Sequence, residues 1–174
     1  MGERWSYSLS PNDEAMATRV GYLRQEPMLG QPHRNTNYSE GDLYEAWQHG
    51  LSAGSEIALA RMLGFDSFVP SVNTFKDELD IPGVCEVRYS QTQRGLRFTD
   101  RDHAEAVYVL MAEGINQRTK RLAPDYLSPP YKAIGWMLGI DCLYDKWQFN
   151  ASTWYVPIAE LSPMHTFIGS VGNI

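Results

Sequence analysis

The chain has 174 residues, a length that suits one domain with a single core, and its 43% hydrophobic and 12% aromatic content excludes a disordered chain. A formal net charge of -6 argues against a broad, sequence-blind nucleic-acid binder, whose affinity would rest on a basic surface. It leaves room for a metal-dependent enzyme, because such a site gathers acids and the metal brings the positive charge.

The first twenty residues include charges and no apolar run of signal-peptide length, and no apolar stretch approaches ~20 residues. The expectation is a cytoplasmic protein that does not engage a membrane. Cys85 and Cys142 sit in apolar surroundings and read as core thiols. Together with four scattered histidines they give no zinc-binding spacing.

Residues 1–11 read as a loose arm carrying Trp5 and Tyr7. Asn12 is the expected cap of a helix that begins at Asp13-Glu14 and runs to about Gln25, with Ala15, Met16, Val20 and Leu23 at helical spacing. Pro27, Gly30, Pro32 and the run from His33 to Tyr38 mark a long loop. The expected organisation is an arm and helix over 1–38, followed by a single α/β domain over 39–174.

Ser39 opens a longer helix, or two stacked pieces, reaching about Leu63, with Leu43, Trp47, Leu51, Ala58 and Met62 on one face. Gly50 and Gly54 weaken its middle; they admit another element or mark a break. Glu45, His49, Ser52 and Glu56 share a polar edge. Glu56 falls at the border of core and solvent, as an exposed acid or as a site acid supplied by a helix packed on a sheet. Gly64 ends the helix.

Strands follow. Phe65 to Val72 alternates roughly, and Val84 to Gln91 is the next strand. Gln93-Arg94-Gly95 turns a hairpin whose return strand is Leu96 to Thr99. Ala106 to Ala112 is a continuous apolar run, the expected central strand. Arg118, Lys120 and Arg121 precede a Pro-rich loop; with Lys76 they are the candidate nucleic-acid contacts. Tyr131 to Leu138 reads as a strand with Ile134, Trp136 and Leu138 on one face, then a short helix or turn over Gly139 to Asp145. Trp154 to Pro157 is a short strand before a one-turn helix at Ile158 to Leu161.

The stretch with most chemical content is Asp77 to Arg88. Asp80 precedes an Ile-Pro-Gly turn, and the strand after it sends Glu86 and Arg88 to one face. If the turn lays Asp80 beside that face, two carboxylates and a cation converge, a set that suits a hard divalent metal and a nearby phosphate. The competing reading is a solvated hairpin with charged edges.

Asp80, a short gap and then Glu86-x-Arg88 resembles the active-site signature of the PD-(D/E)XK, or restriction-endonuclease-like, nucleases. Two departures stand out: no Pro precedes Asp80, and Arg88 occupies the usual Lys position. The resemblance implies a mixed β-sheet flanked by helices, in the α+β or α/β class, with acids from a helix and two strands in the order Glu56, Asp80, Glu86. It implies Mg²⁺ or Mn²⁺ as cofactor, held by Asp80, Glu86 and the Val87 carbonyl with help from Glu56, and Asp80, Glu86 and Arg88 as catalytic residues. DNA is the preferred substrate over RNA.

The stretches Ser52 to Gly64, Ser71 to Lys76, Asp80 to Arg88, Gly135-Trp136 and Trp154 to Leu161 also resemble small proteins of bacteriophage and prophage genomes. That resemblance implies a phage protein acting in the host cytoplasm. It keeps open a non-catalytic alternative in which the fold binds a host or phage protein.

Overall fold

The computed structural model describes residues 4–28, 42–73, 78–90, 95–113 and 130–167. Helix α1 spans Pro11–Gln25 and is capped by Ser10. The Ser10 hydroxyl accepts from the Asp13 amide at 3.2 Å and donates to the Asp13 carboxylate at 2.9 Å. The helix thus starts ahead of Asn12, the expected cap. Ser followed by Pro satisfies an orphan amide and places a residue without one in the first turn.

Helix α2 spans Asp42–Met62 without a break. It closes with Gly64 at φ +88°, where the Gly64 amide donates to Arg61 O at 3.0 Å and the Phe65 amide to Ala60 O at 2.9 Å. Pro27, the expected start of the loop, sits in a 3-10 turn over Glu26–Met28; the rest of that loop and the expected opening at Ser39 lie outside the described residues.

The two helices approach backbone to backbone. A Cβ on Gly21 would lie 2.5 Å from the Ala46 carbonyl oxygen and 2.6 Å from the Gly50 nitrogen. Gly54 does admit another element: a Cβ there would meet the Tyr131 hydroxyl at 2.5 Å. With α1 on one side and a sheet on the other, residues 53–60 are buried all round.

The main sheet contains β1 (Ser6–Tyr7), β2 (Glu86–Ser90), β4 (Val107–Glu113) and β5 (Tyr131–Leu138), in the order β1-β5-β4-β2. β2 and β4 are parallel; β4 and β5, and β5 and β1, are antiparallel. A smaller antiparallel sheet contains β3 (Leu96–Thr99), β6 (Gln148–Asn150) and β7 (Thr153–Val156), in the order β3-β7-β6.

β4 is interior, as its apolar run implies. Val107, Val109 and Met111 pack with Ile57, Ala58 and Leu59 of α2, while Tyr108 and Leu110 pack with Leu96, Phe98 and Val156 of the small sheet. The layers are therefore helices, main sheet and small sheet, an α+β arrangement.

Several expectations are corrected. Phe65 to Val72 is not a strand: Phe68 N–H turns back to Phe65 O at 3.1 Å, the Arg61 guanidinium donates to Phe65 O at 2.7 Å, and Pro70 has no amide to offer a ladder. β3 does not return as a hairpin onto β2. One edge of β2 is occupied by β4, and Asp80 takes an amide of the other, so β3 pairs with β7. Ile134 does not share a face with Trp136 and Leu138. A bulge opposite Leu110/Met111 turns Ile134 toward the small sheet while those two face the helices.

The arm is not loose from residue 4 on. Trp5 and Tyr7 pack on the first cluster, and the Ala133 amide donates to Trp5 O at 2.9 Å. At the other end Met164 and Phe167 are buried. No described helix is long and apolar enough to cross a membrane.

Candidate functional site

The turn before β2 is built by Pro82 and Gly83. Gly83 adopts φ +70°, the Val84 amide donates to Ile81 O at 3.0 Å, and the Ile81 amide donates to Cys85 O at 3.0 Å. This tight return brings Asp80 to the rim of the strand that follows. The Val87 amide donates to Asp80 Oδ2 at 2.9 Å. Asp80 therefore reaches the main chain between Glu86 and Arg88, at the strand's edge.

Glu86 and Arg88 leave β2 on the face opposite Val87, which is buried against the helices. The Arg88 guanidinium lies over the Tyr108 ring, 5.1 Å from its centroid, and 4.0 Å from Glu86 Oε2. Its closest partner is Asp102, Nη2 to Oδ1 at 2.6 Å. Asp102 is itself fixed by the Thr99 amide, which donates to Oδ2 at 2.7 Å. A single carboxylate thus ties Arg88 of the main sheet to β3 of the small one.

The titration of neighbouring groups records these charges. Burial, then Asp80 and Glu86, pushes the Cys85 thiol up. Burial and Asp102 push the Tyr108 phenol up, against the opposing charge of Arg88. Burial, helped by Asp141 and Asp102, raises the Cys142 thiol to about 12. Both cysteines are buried free thiols, protonated at neutral pH and unsuited to nucleophilic work.

Glu56 is fully enclosed, so it is neither an exposed acid nor at the solvent border. Its carboxylate receives both Arg24 guanidinium nitrogens, at 2.8 and 2.9 Å. Arg24 Nε also donates to Ser71 O at 2.9 Å. The polar edge of α2 faces α1: Gln25 Nε2 donates to Glu45 at 3.1 Å, and burial with the Arg24 charge lowers the half-buried His49, against the pull of Glu45.

Lys76, Arg118, Lys120 and Arg121 lie outside the described residues. Among the described residues, no three His, Cys, Asp or Glu side chains stand grouped to hold a metal ion.

The sequence reading missed Arg24, Asp102 and Tyr108. The polar segment Asp100 to His103 gave the only hint of Asp102, and nothing in the spacing pairs Arg24 with Glu56, 32 positions away. Compared with family models, curated proteins and solved structures, the chain matches none.

Proposed function

We propose that the chain is a metal-dependent nuclease of the restriction-endonuclease-like class, acting on nucleic-acid phosphodiesters and encoded by a phage. The observation that carries this reading is the Asp80 carboxylate at the Val87 amide, one residue from both Glu86 and Arg88. Asp80, Glu86 and the Val87 carbonyl would supply an all-oxygen donor set, the chemistry that Mg²⁺ or Mn²⁺ prefers. Bound there, the ion would lower the pKa of a water and offset charge on the phosphate.

A guanidinium is a poor general base, so the role of Arg88 is to orient a phosphate with its planar fork, not to abstract a proton. Asp102 and the Tyr108 ring hold that fork in place. Glu56 is bound by Arg24, and the reading assigns the metal first to Asp80 and Glu86.

The alternative is a non-catalytic phage protein that uses the same fold to bind a host or phage protein. The commitment of Arg88 to Asp102 favours it, since a cation already paired at 2.6 Å is less available to a phosphate. The deciding experiment offers plasmid, linear and single-stranded DNA, and RNA, with Mg²⁺, Mn²⁺ or EDTA. The nuclease reading expects metal-dependent cleavage of at least one substrate, none in EDTA, and loss of cleavage in Asp80→Asn with an unchanged melt. No cleavage of any substrate, with no calorimetric binding of either ion, would leave the binding protein as the better reading.

A further inference from the structure

Asp102 keeps its place without help from Arg88. Its amide donates to Thr99 O at 3.0 Å, and its Oδ2 accepts from the Thr99 amide at 2.7 Å. The turn that follows β3 is therefore closed from both sides, and it presents the other oxygen, Oδ1, to Arg88 as a fixed acceptor. Arg88 is held less firmly. A guanidinium carries five N–H donors. Among the described residues only its Nη2 makes a hydrogen bond, to Asp102 Oδ1 at 2.6 Å. Glu86 Oε2 stands 4.0 Å from Nη1, beyond hydrogen-bond reach. The Tyr108 ring supports the fork and takes none of its in-plane donors.

We propose that Asp102 is a latch on the candidate site: an internal carboxylate in the oxyanion position of Arg88, which a phosphate group has to displace. The group bound at Nη2 marks the class of ligand that fits there, because a guanidinium fork receives carboxylate and phosphate oxygens alike. Release leaves no orphan, since Asp102 retains the Thr99 amide when the cation departs. The pair is also open to exchange, with 30% of the Arg88 side chain and 16% of Asp102 in solvent. The Arg24–Glu56 pair is the contrast: bidentate and enclosed, it is a structural tie that no solute can enter.

Two carboxylates, Glu86 and Asp102, face this one cation. An arriving phosphate meets their repulsion as well as the competing hydrogen bond, so the resting site binds it weakly. Removing the Asp102 charge while keeping the turn should open the site.

This inference concerns regulation of the site described above, and rests on the nuclease reading for the placing of a phosphate at Arg88. The test is an NMR titration of the full chain with inorganic phosphate, in EDTA and at constant ionic strength. Asp102→Asn keeps a carbonyl oxygen for the Thr99 amide and offers Arg88 no charge. It should bind phosphate about fivefold more tightly than the parent, the upper end for a partly exposed pair. Adding Arg88→Gln should abolish that gain. Asp100→Asn removes the same charge from an exposed neighbour in the same turn and should change nothing. The Thr99 amide resonance reports whether the turn survives. Should Asp102→Asn fail to melt cooperatively, Asp102→Ser repeats the test, with a hydroxyl that can accept from the Thr99 amide.

Unchanged or weaker phosphate binding in Asp102→Asn would overturn the latch, as would an equal gain in Asp100→Asn or a gain that persists with Arg88→Gln. No phosphate binding by any variant overturns it too. The nuclease reading fails separately. Metal-dependent cleavage by the parent, with no gain of phosphate affinity in Asp102→Asn, keeps the nuclease and removes the latch. A gain of affinity that needs Arg88, with no cleavage under any metal, supports the latch and removes the nuclease.

Discussion

Arg24 of α1 and Glu56 of α2 meet through two hydrogen bonds of 2.8 and 2.9 Å, with both side chains almost wholly removed from solvent. Fork-to-carboxylate geometry of this kind fixes the rotation of one helix against the other. Its net worth is smaller than the cost of breaking it, because each charge alone is stranded in a dry seam. Arg24→Ala or Glu56→Ala should each cost about 3–5 kcal/mol in a urea melt. The double variant Arg24→Met with Glu56→Leu should recover most of that loss. Near-neutral single variants would show that water reaches the pair.

His49 lies in the same seam, where burial and the Arg24 charge hold its pKa below the ordinary 6.5. Below 6.5 the unfolded chain binds this proton and the folded chain resists it. Stability should therefore decline as the pH falls from about 6.5 toward the lowered folded-state value. His49→Gln should flatten that limb of a melting-temperature profile, and an unaltered profile would place the acid sensitivity elsewhere.

Leu110 is buried between the main and small sheets. Leu110→Ala removes methyl groups that Leu96, Phe98 and their neighbours cannot replace, and should cost about 2–5 kcal/mol. A chemical denaturation curve unchanged by this substitution would mean the small sheet does not share the core.

Arg88→Lys separates the two ways the cation can act. Lysine keeps the charge, loses the planar fork facing Asp102 and lies less well over Tyr108. The expected result is a loss of about 0.5–1 kcal/mol of stability, as for a partly exposed pair, and, if the proposed nuclease activity holds, slower metal-dependent cleavage. Faster cleavage would show that the site wants a point charge and that Arg88 is a handicap.

The sequence was most readable where one segment alone dictates its structure. The apolar run of β4 implies burial on both faces, and Gly64 ends α2 as its position suggests. It was least readable where a partner far along the chain decides. Leu96 and Phe98 alternate like any strand, yet nothing in them says that Val156, not Tyr89, lies alongside. The bulge at Ile134 depends on how β4 meets β5. Glu56 looks half-exposed on a helical wheel because the wheel omits α1. In the candidate site, Asp80, Glu86 and Arg88 are a local pattern, and Asp102 enters only through the fold.

The hydrogen bond from the Val87 amide to Asp80 has a consequence for the molecule among its neighbours. Among the described residues β2 ends the main sheet, and a bare terminal strand invites another chain to add alongside it. Asp80 blocks that docking line with a negatively charged side chain in place of a backbone acceptor. Asp80→Asn keeps an acceptor oxygen there, whereas Asp80→Ala leaves the amide bare. The alanine protein should self-associate with rising concentration in light scattering and the asparagine protein should stay dispersed, so one carboxylate would keep the edge of the sheet closed to other chains.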